Sequence, residues 1–296
     1  MAIDTQELMR QVGRIRILTG KLVDERISGE YQSVFKGHGI EFDQVREYVP
    51  GDDIRSIDWN VTARMGHPFV KRFCEERELT VMFLVDISGS MCFGSATRSK
   101  AELAAELTCL LALAATRNQD KVGMLLFSDR IEKYLPPRKG RTAVMRLVRE
   151  VLAAEETRRL TDLPGALRFF NTVQKRKAVV FMISDFMADG YERELRVTAR
   201  RHDLVCCRVM DRRESSLPAA GLLEVQDPET GELALLDTSS RSVRDWLARR
   251  AEARSAEQTA LFKRLGTDSL SLSTDRPYIE AVRALFEMRQ RRASRG

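Results

Sequence analysis

One stretch decides the fold: Leu79-Thr-Val-Met-Phe-Leu-Val85, followed by Asp86-Ile-Ser-Gly-Ser-Met91. The first part is an apolar run with the length and composition of a strand that is buried on both faces. An acid ends the run and hydroxyls follow at Ser88 and Ser90, so three oxygen ligands lie on one short loop. Mg²⁺ and Mn²⁺ prefer oxygen ligands, and the loop is therefore a candidate metal site. The alternative is that Asp86 and Ser88 only cap the helix that follows.

Apolar strands and helical segments alternate from Glu78 onward. Such alternation predicts an α/β fold with a mostly parallel sheet and helices on both faces. We expect strands over 79–85, 121–127, 131–135, 178–184, 204–210 and 269–273, and helices over 99–117, 141–154, 164–174, 190–202, 240–265 and 277–290. A hairpin is also expected, with strands Leu222–Val225 and Leu233–Leu236 joined by the turn Asp227-Pro-Glu-Thr-Gly231.

Two further loops carry oxygen-bearing side chains to the same edge of the predicted sheet. Asp185 follows one buried strand as Asp86 follows another, and ligands of open α/β sheets bind at the carboxyl ends of strands. Pro164 suits the first turn of a helix, so Thr161 lies where that helix begins and its N–H groups point outward. The alternatives are that Thr161 only caps the helix and that Asp185 only shapes a turn.

The candidate ligands occur in the chain order of the three metal-binding loops of von Willebrand factor A domains. They are Asp86, Ser88, Ser90, Thr161 and Asp185. The first loop resembles the metal-ion-dependent adhesion site of those domains. The resemblance implies a Rossmann-like sheet and a Mg²⁺ or Mn²⁺ ion held by these residues. It also implies an open coordination position that accepts a Glu or Asp carboxylate from another protein.

Further motifs resemble a more specific family over nearly the whole chain. They are Gly37-His-Gly-Ile-Glu-Phe-Asp43, Arg46-Glu-Tyr-Val-Pro-Gly-Asp-Asp-Ile-Arg55, Ile57-Asp-Trp-Asn-Val-Thr-Ala-Arg64, Glu75-Glu-Arg-Glu-Leu79, Arg201-His-Asp203 and Asp227-Pro-Glu-Thr-Gly231. Together they resemble the signature of the bacterial domain of unknown function 58 family. Its members are similar to A domains in fold and are typically encoded beside a MoxR-type AAA+ ATPase, so the resemblance implies such an ATPase as a partner.

Two loops depart from the A-domain pattern. Many A domains have Gly-Gly before the Thr, where this chain has Arg158-Arg159-Leu160. This departure weakens the expectation that Thr161 ligates directly, and it places two cations that favour an anionic partner beside the site. Many A domains also have Asp-Gly in the third loop, where this chain has Asp185-Phe186.

The sequence predicts three parts. Residues 1–77 are expected to form an N-terminal helix, ending near Ile27, and a turn-rich region packed on the main domain. Residues 78–290 are expected to form the A-like domain with a hairpin insertion near 220–237, and residues 291–296 a basic tail. The block 41–64 gathers charges around Tyr48 and Trp59. It is interpreted either as an internal ion-pair network that docks this region on the A-like domain, with Tyr48 and Trp59 favouring burial, or as a partner surface.

Composition narrows the class of protein. Of 296 residues, 43% are hydrophobic and 31% charged, which is typical of a globular chain. No apolar stretch reaches the roughly 18–20 residues of a membrane span, and the start lacks a secretory signal, so we expect a cytoplasmic protein without a transmembrane segment. The net charge of +6 is spread among acids, which favours solvated surface over nucleic-acid binding. Cys109, Cys206 and Cys207 are expected to be reduced core residues.

These observations predict a non-enzymatic, divalent-metal-dependent protein-interaction module. The family resemblance implies an adaptor or co-factor of a MoxR-type AAA+ ATPase in chaperone-like assembly or metal insertion, with an acidic protein ligand. The chain has no G-x-x-x-x-G-K-[ST] motif, which excludes ATP hydrolysis by a P-loop. Two alternatives stay open: a metal-dependent hydrolase of the phosphatase or nuclease type, and a metal-free scaffold.

Overall fold

A computed structural model describes residue 31 and residues 41–74, 78–95, 97–154, 160–227 and 229–293. The predicted N-terminal helix, Arg158 and Arg159, and the last three residues of the basic tail lie outside these ranges. The described residues form two compact units. One contains the described residues of Phe35–Leu79, and the other contains Tyr31 and the described residues of Thr80–Gly296.

The smaller unit is a β-ribbon with one short helix. Strand β1 (Glu41–Glu47) pairs antiparallel with β2 (Phe69–Cys74), and helix α1 (Trp59–Met65) lies between them in the chain. Asp58 caps α1 by accepting hydrogen bonds from Asn60 N and Val61 N, as expected of an acid at this position.

The charged block in this unit contains an ion pair and two acidic caps. Asp52 does pair with Arg46 at 2.6 Å, but Asp53 and Asp58 use their carboxylates to cap a 3₁₀ turn and α1. The prediction that Trp59 is buried is wrong, since 67% of its surface is exposed. Trp59 is the first residue of a helix in which no residue is buried. The acids of this block therefore mark turns and helix starts.

The larger unit is built on a six-stranded sheet. Its strands are β3 (Thr80–Asp86), β4 (Lys121–Phe127), β5 (Ile131–Arg138), β6 (Val179–Ser184), β7 (Asp203–Met210) and β10 (Asp268–Ser273). Their order across the sheet is β10-β7-β6-β3-β4-β5, and all neighbours are parallel except β4 and β5. The predicted α/β class with a mostly parallel sheet is confirmed. Strand β5 continues through Pro136 and Pro137, beyond its predicted end, because an edge strand tolerates residues without an N–H.

Six helices of the described residues cover the two faces of the sheet. They are α2 (Lys100–Arg117), α3 (Arg141–Leu152), α4 (Leu163–Val173), α5 (Glu192–Arg201), α6 (Arg241–Leu265) and α7 (Ile279–Ala293). On one face, Met82 and Leu84 of β3 pack in a core with α4, α5 and Phe262 of α6. Successive side chains of a strand alternate in direction, so Val81 and Phe83 face the other layer. Every residue of β3 after Thr80 is buried, and the loops at its carboxyl end therefore start from a fixed strand.

The predicted hairpin forms a separate two-stranded sheet. Strand β8 (Leu222–Gln226) pairs antiparallel with β9 (Leu233–Asp237) around a turn at Asp227–Glu232. Within the described part of the chain, no helix is both long and apolar enough to cross a membrane. Cys109, Cys206 and Cys207 are buried and unbridged, as predicted.

Candidate metal-binding crevice

The register of the sheet brings the first and third predicted loops together. Val85 of β3 is paired with Ile183 of β6, so the next residues, Asp86 and Ser184, lie side by side at the carboxyl edge. Ser184 Oγ donates a hydrogen bond of 2.6 Å to Asp86 Oδ2. Asp185 follows Ser184 directly. The two predicted acids therefore share one crevice, which we define by Asp86, Ser88, Ser90, Thr161 and Asp185.

The two serines of the first loop lie next to each other. Asp86 Oδ1 accepts a hydrogen bond of 2.9 Å from Ser88 N, which folds the loop back on the strand end. Ser88 Oγ and Ser90 Oγ are 3.1 Å apart. Ser88 occupies the N-cap position of the short 3₁₀ turn Gly89–Cys92, but its side chain makes no capping bond. The capping alternative therefore does not account for the Ser88 hydroxyl, which is directed to Ser90 instead.

The second loop is held by the neighbouring strand. Asp162 N donates to Ser128 O at 2.8 Å, one residue beyond the end of β4, and this bond ties the Thr161 loop to the sheet edge. Asp162 caps α4 by accepting from Gly165 N, with Pro164 in the first turn as predicted. The cap is thus Asp162, and the hydroxyl of Thr161 is available for another partner.

Asp185 is bound by a lysine that the sequence analysis did not include. Lys100, the first residue of α2, places its Nζ 2.8 Å from Asp185 Oδ2 and 2.5 Å from Glu214 Oε1, and its side chain is fully buried. Asp185 Oδ1 accepts from Met187 N at 3.1 Å, so Asp185 also shapes its turn. The third loop therefore carries an acid that already has a cationic partner.

Phe186 takes the backbone conformation for which A domains often have glycine. Its φ is 56°, in the left-handed region that bulky residues rarely adopt. The side chain is buried, and its ring lies 5.1 Å from that of Phe262 and 5.8 Å from that of Tyr191. Aromatic packing therefore holds a strained residue beside Asp185, and the backbone of the third loop is kept as a glycine would allow it.

The hairpin contributes a further carboxylate to the crevice. Thr161 Oγ1 donates to Glu229 Oε1 at 2.7 Å across 68 positions of the chain. The Ser90 hydroxyl and the Asp185 carboxylate are near enough to act on the pKa of Glu229, which Ser90 lowers and Asp185 raises. Glu229 therefore contacts the second loop and lies near the first and third.

The crevice has an excess of negative charge. Burial and the nearby Asp185 carboxylate raise the pKa of Asp86 to about 7. Burial also raises the pKa of Glu229, with Asp185 adding to the effect. At Lys100 burial opposes the charged form, but the carboxylates of Asp185 and Glu214 outweigh it and raise the pKa. The Lys100 ammonium pairs with two carboxylates, Asp185 and Glu214, and the carboxyl groups of Asp86 and Glu229 add to the acids of the crevice.

This donor set fits a small divalent cation. Two carboxylates and three hydroxyls offer only oxygen, as Mg²⁺ and Mn²⁺ prefer. A cation would also offset the burial and the Asp185 repulsion that raise the pKa of Asp86. Among the described residues, no group of three or more His, Cys, Asp or Glu side chains is arranged to hold a metal ion by itself. A cation here would therefore depend on the hydroxyls of Ser88, Ser90 and Thr161.

A cavity of about 610 Å³ opens beside Asp185, between the carboxyl end of β7 and α6. Its lining includes Asp185, Glu214, Arg208 and Gln258. Arg208 is buried and bonds Gln258 Oε1 at 3.0 Å, while Gln258 bonds Phe186 O at 2.8 Å. The wall of the cavity is thus joined to the third loop by hydrogen bonds.

Comparison with known proteins places the chain in a family. The sequence model of the family described as "Protein of unknown function DUF58" matches residues 44–257. The chain belongs to this family. The match covers the crevice loops, the hairpin and most of the smaller unit, as the quoted motifs predicted.

Relatives of this DUF58 protein include uncharacterized proteins of mycobacteria. Rv1480 of Mycobacterium tuberculosis and Mb1516 of Mycobacterium bovis are each 29% identical over 297 residues, which covers 99% of this chain and 93% of theirs. Among solved structures, the conserved hypothetical protein BatB from Bacteroides thetaiotaomicron is 16% identical, with 72% of this chain and 99% of that chain covered and a TM-score of 0.44. A von Willebrand factor type A structure from Catenulispora acidiphila is 13% identical, with 75% and 44% covered and a TM-score of 0.37. These TM-scores are low, and the family assignment rests on the sequence model.

Three crevice residues escaped the sequence analysis: Lys100, Ser184 and Glu229. A lysine at the first position of a helix opposes the helix dipole, and this unfavourable placement was a signal for a buried acid nearby. Ser184 lies at the end of an expected strand and Glu229 inside a quoted motif, but the role of Ser184 depends on strand register and that of Glu229 on a contact distant in sequence.

Proposed function

We propose that this protein is a divalent-cation-dependent protein-interaction module. Asp86, Ser88 and Ser90 hold Mg²⁺ or Mn²⁺, and Thr161 and Asp185 contribute directly or through water. The observation that carries the proposal is the 2.6 Å bond from Ser184 to Asp86, which joins the first and third loops. The second loop is tied to the same sheet edge by the bond from Asp162 N to Ser128 O. A bound ion would supply an electrophilic position that accepts a carboxylate from another protein.

The residues in and around the crevice have different roles in the proposed function. Ser184 orients the Asp86 carboxyl by donating to Oδ2. Lys100 neutralises part of the charge of Asp185. The cavity beside Asp185 gives a partner's side chain room to approach. The partners that we propose are an acidic protein ligand and, from the family resemblance, a MoxR-type AAA+ ATPase in the cytoplasm, with chaperone-like assembly or metal insertion as the shared task.

Calorimetric titration of Mg²⁺ and Mn²⁺ tests the proposal. The wild type should bind one ion saturably, and Asp86→Ala should not, although both proteins melt cooperatively. Asp129→Ala, which changes an exposed acid after β4, is the matched control and should bind as the wild type does. Binding that survives Asp86→Ala contradicts the proposed site.

Partner binding is tested with the MoxR-type ATPase of the same genome. The tagged protein should retain the ATPase in the presence of Mg²⁺ and lose it in EDTA or as Asp86→Ala. Retention that is independent of both changes contradicts the metal-dependent part of the proposal.

The ion pair between Lys100 and Asp185 favours one other candidate, a metal-free scaffold. On this alternative the buried ammonium is the permanent cation of the crevice, and partner binding uses the surface alone. The same titration separates the two, because the scaffold takes up no ion and its partner binding is insensitive to EDTA.

A further inference from the structure

The turn of the β8–β9 hairpin is shaped to present one side chain. Asp227 Oδ1 accepts hydrogen bonds from Glu229 N at 2.8 Å and Thr230 N at 3.0 Å, and Gly231 N donates to Asp227 O at 2.8 Å. Gly231 has a φ of 76°, which closes the turn in the left-handed region that favours glycine. These bonds fix the described residues of the turn, and Glu229 projects from a defined position.

Glu229 lies where a carboxylate from outside would have to enter. It accepts from the Thr161 hydroxyl at 2.7 Å, and the Ser90 hydroxyl and the Asp185 carboxylate are near enough to act on its pKa. Two of these three residues are hydroxyl donors that the proposed function assigns to the ion. A carboxylate beside another carboxylate gains most when a cation lies between them.

We propose that Glu229 is the chain's own carboxylate ligand of the crevice, and that an acidic partner binds by taking the place of Glu229. This inference rests on the proposed function and adds a mechanism that controls when a partner can bind the crevice. The crevice is then closed by the hairpin until a partner's Glu or Asp competes for the same position.

The hairpin is built to be displaced at its tip. Its outer face exposes Leu222, Leu233 and Leu235, so the two strands bury little surface there. An isolated two-stranded hairpin is only marginally stable, and its tip depends on contacts such as that of Glu229. The base is fixed, because Thr238 N and Oγ1 both donate to Gly221 O and Thr238 is fully buried. A swing about the base releases Glu229 without disturbing the six-stranded sheet.

The relaxation of water protons by bound Mn²⁺ tests whether Glu229 fills a coordination position of the ion. Glu229→Ala should still bind Mn²⁺, and the relaxivity per bound ion should rise, since water replaces the missing carboxylate. Sodium acetate, used as the carboxylate probe, should lower the relaxivity of Glu229→Ala at concentrations that leave the wild type unchanged. Glu232→Ala alters an exposed acid of the same turn and should behave as the wild type does.

Equal relaxivity and equal acetate response in all three proteins overturn the inference. Loss of Mn²⁺ binding in Asp86→Ala would in that case leave the proposed function standing. A wild type that takes up no Mn²⁺ contradicts the proposed function, and the inference falls with it.

Hydrogen exchange in the metal-free protein gives a second reading. Amides at 226–232 should exchange faster in Glu229→Ala than in Glu232→Ala, because only the former loses the anchor to Thr161. Identical exchange in the two variants shows that Glu229 does not hold the tip in the crevice, and the inference is then wrong.

Discussion

Ser184 Oγ donates to Asp86 Oδ2 at 2.6 Å and accepts from Phe186 N at 3.0 Å. One hydroxyl therefore joins two loops that are 98 positions apart in the chain, and it fixes both the acid of the first loop and the backbone of the third. The crevice owes its geometry to this bond as much as to its candidate ligands.

Ser184→Ala should weaken Mg²⁺ binding by about 10- to 100-fold, the range found when a residue that orients a metal ligand is removed. It should also cost about 1–3 kcal/mol of unfolding free energy, because Phe186 N loses a buried acceptor. Calorimetry and chemical denaturation measure the two effects, and the exposed Ser216→Ala is the control. Unchanged Mg²⁺ affinity in a folded variant would show that Ser184 does not orient Asp86.

Lys100→Met should destabilise the metal-free protein by about 3–5 kcal/mol, since it leaves the buried Asp185 carboxylate without its cation. Millimolar Mg²⁺ should then raise the Tm of the variant more than that of the wild type, because the ion replaces the lost positive charge. Thermal melts with and without Mg²⁺ measure this difference, with the exposed Lys263→Met as control. A variant whose Tm ignores Mg²⁺ supports the metal-free scaffold.

Phe186→Gly should destabilise the protein although it relieves the left-handed backbone. Removal of a buried Phe side chain costs about 3–5 kcal/mol, whereas the relieved strain returns about 1–3 kcal/mol. We expect a net loss of about 2 kcal/mol in denaturant unfolding and no change in Mg²⁺ affinity. Phe186→Leu keeps the backbone strain and most of the apolar contact. Its unfolding free energy should therefore lie between those of the wild type and Phe186→Gly. A gain in stability for Phe186→Gly would contradict the packing argument.

His202 should make the fold acid-sensitive. It packs on Phe170 with 5.0 Å between ring centroids, and neither ring nitrogen has a hydrogen-bond partner among the described residues. Burial, with a contribution from Arg201, lowers the pKa of His202 to about 4, whereas the unfolded value is about 6.5. Above about pH 6.5 the ring is neutral in both states, and the full stability of the folded state is present. As the pH falls from about 6.5 towards 4, the unfolded state binds a proton that the folded state does not, and at most about 3 kcal/mol of unfolding free energy is lost.

The variant His202→Phe should flatten the fall of Tm between neutral pH and about pH 4.5, with the exposed His67→Gln as control. If Tm falls with pH equally steeply in the wild type and in His202→Phe, another group controls acid unfolding.

The strands and helices of the larger unit were predictable because local pattern determines them. The buried strands β3 and β6 read as apolar runs, and Asp162 with Pro164 marked the start of α4. The placement of Asp86 and Asp185 followed from a general property of parallel sheets.

The remaining crevice residues depend on contacts that no local pattern carries. Lys100 contacts Asp185, 85 positions away in sequence, because α2 begins near the carboxyl edge of the sheet. Glu229 contacts Thr161 only because a separate hairpin packs against the second loop. For Trp59 the sequence predicted burial that the structure does not have, since this residue is exposed at the start of a helix.

The most direct test of the metal-dependent site is a crystal of the wild type grown with Mn²⁺ and measured at the manganese absorption edge. The account predicts one anomalous peak in the crevice, about 2 Å from Ser88 Oγ, Ser90 Oγ and an Asp86 carboxylate oxygen. The absence of a peak, with Lys100 still bound to Asp185 as the cation of the crevice, would contradict it.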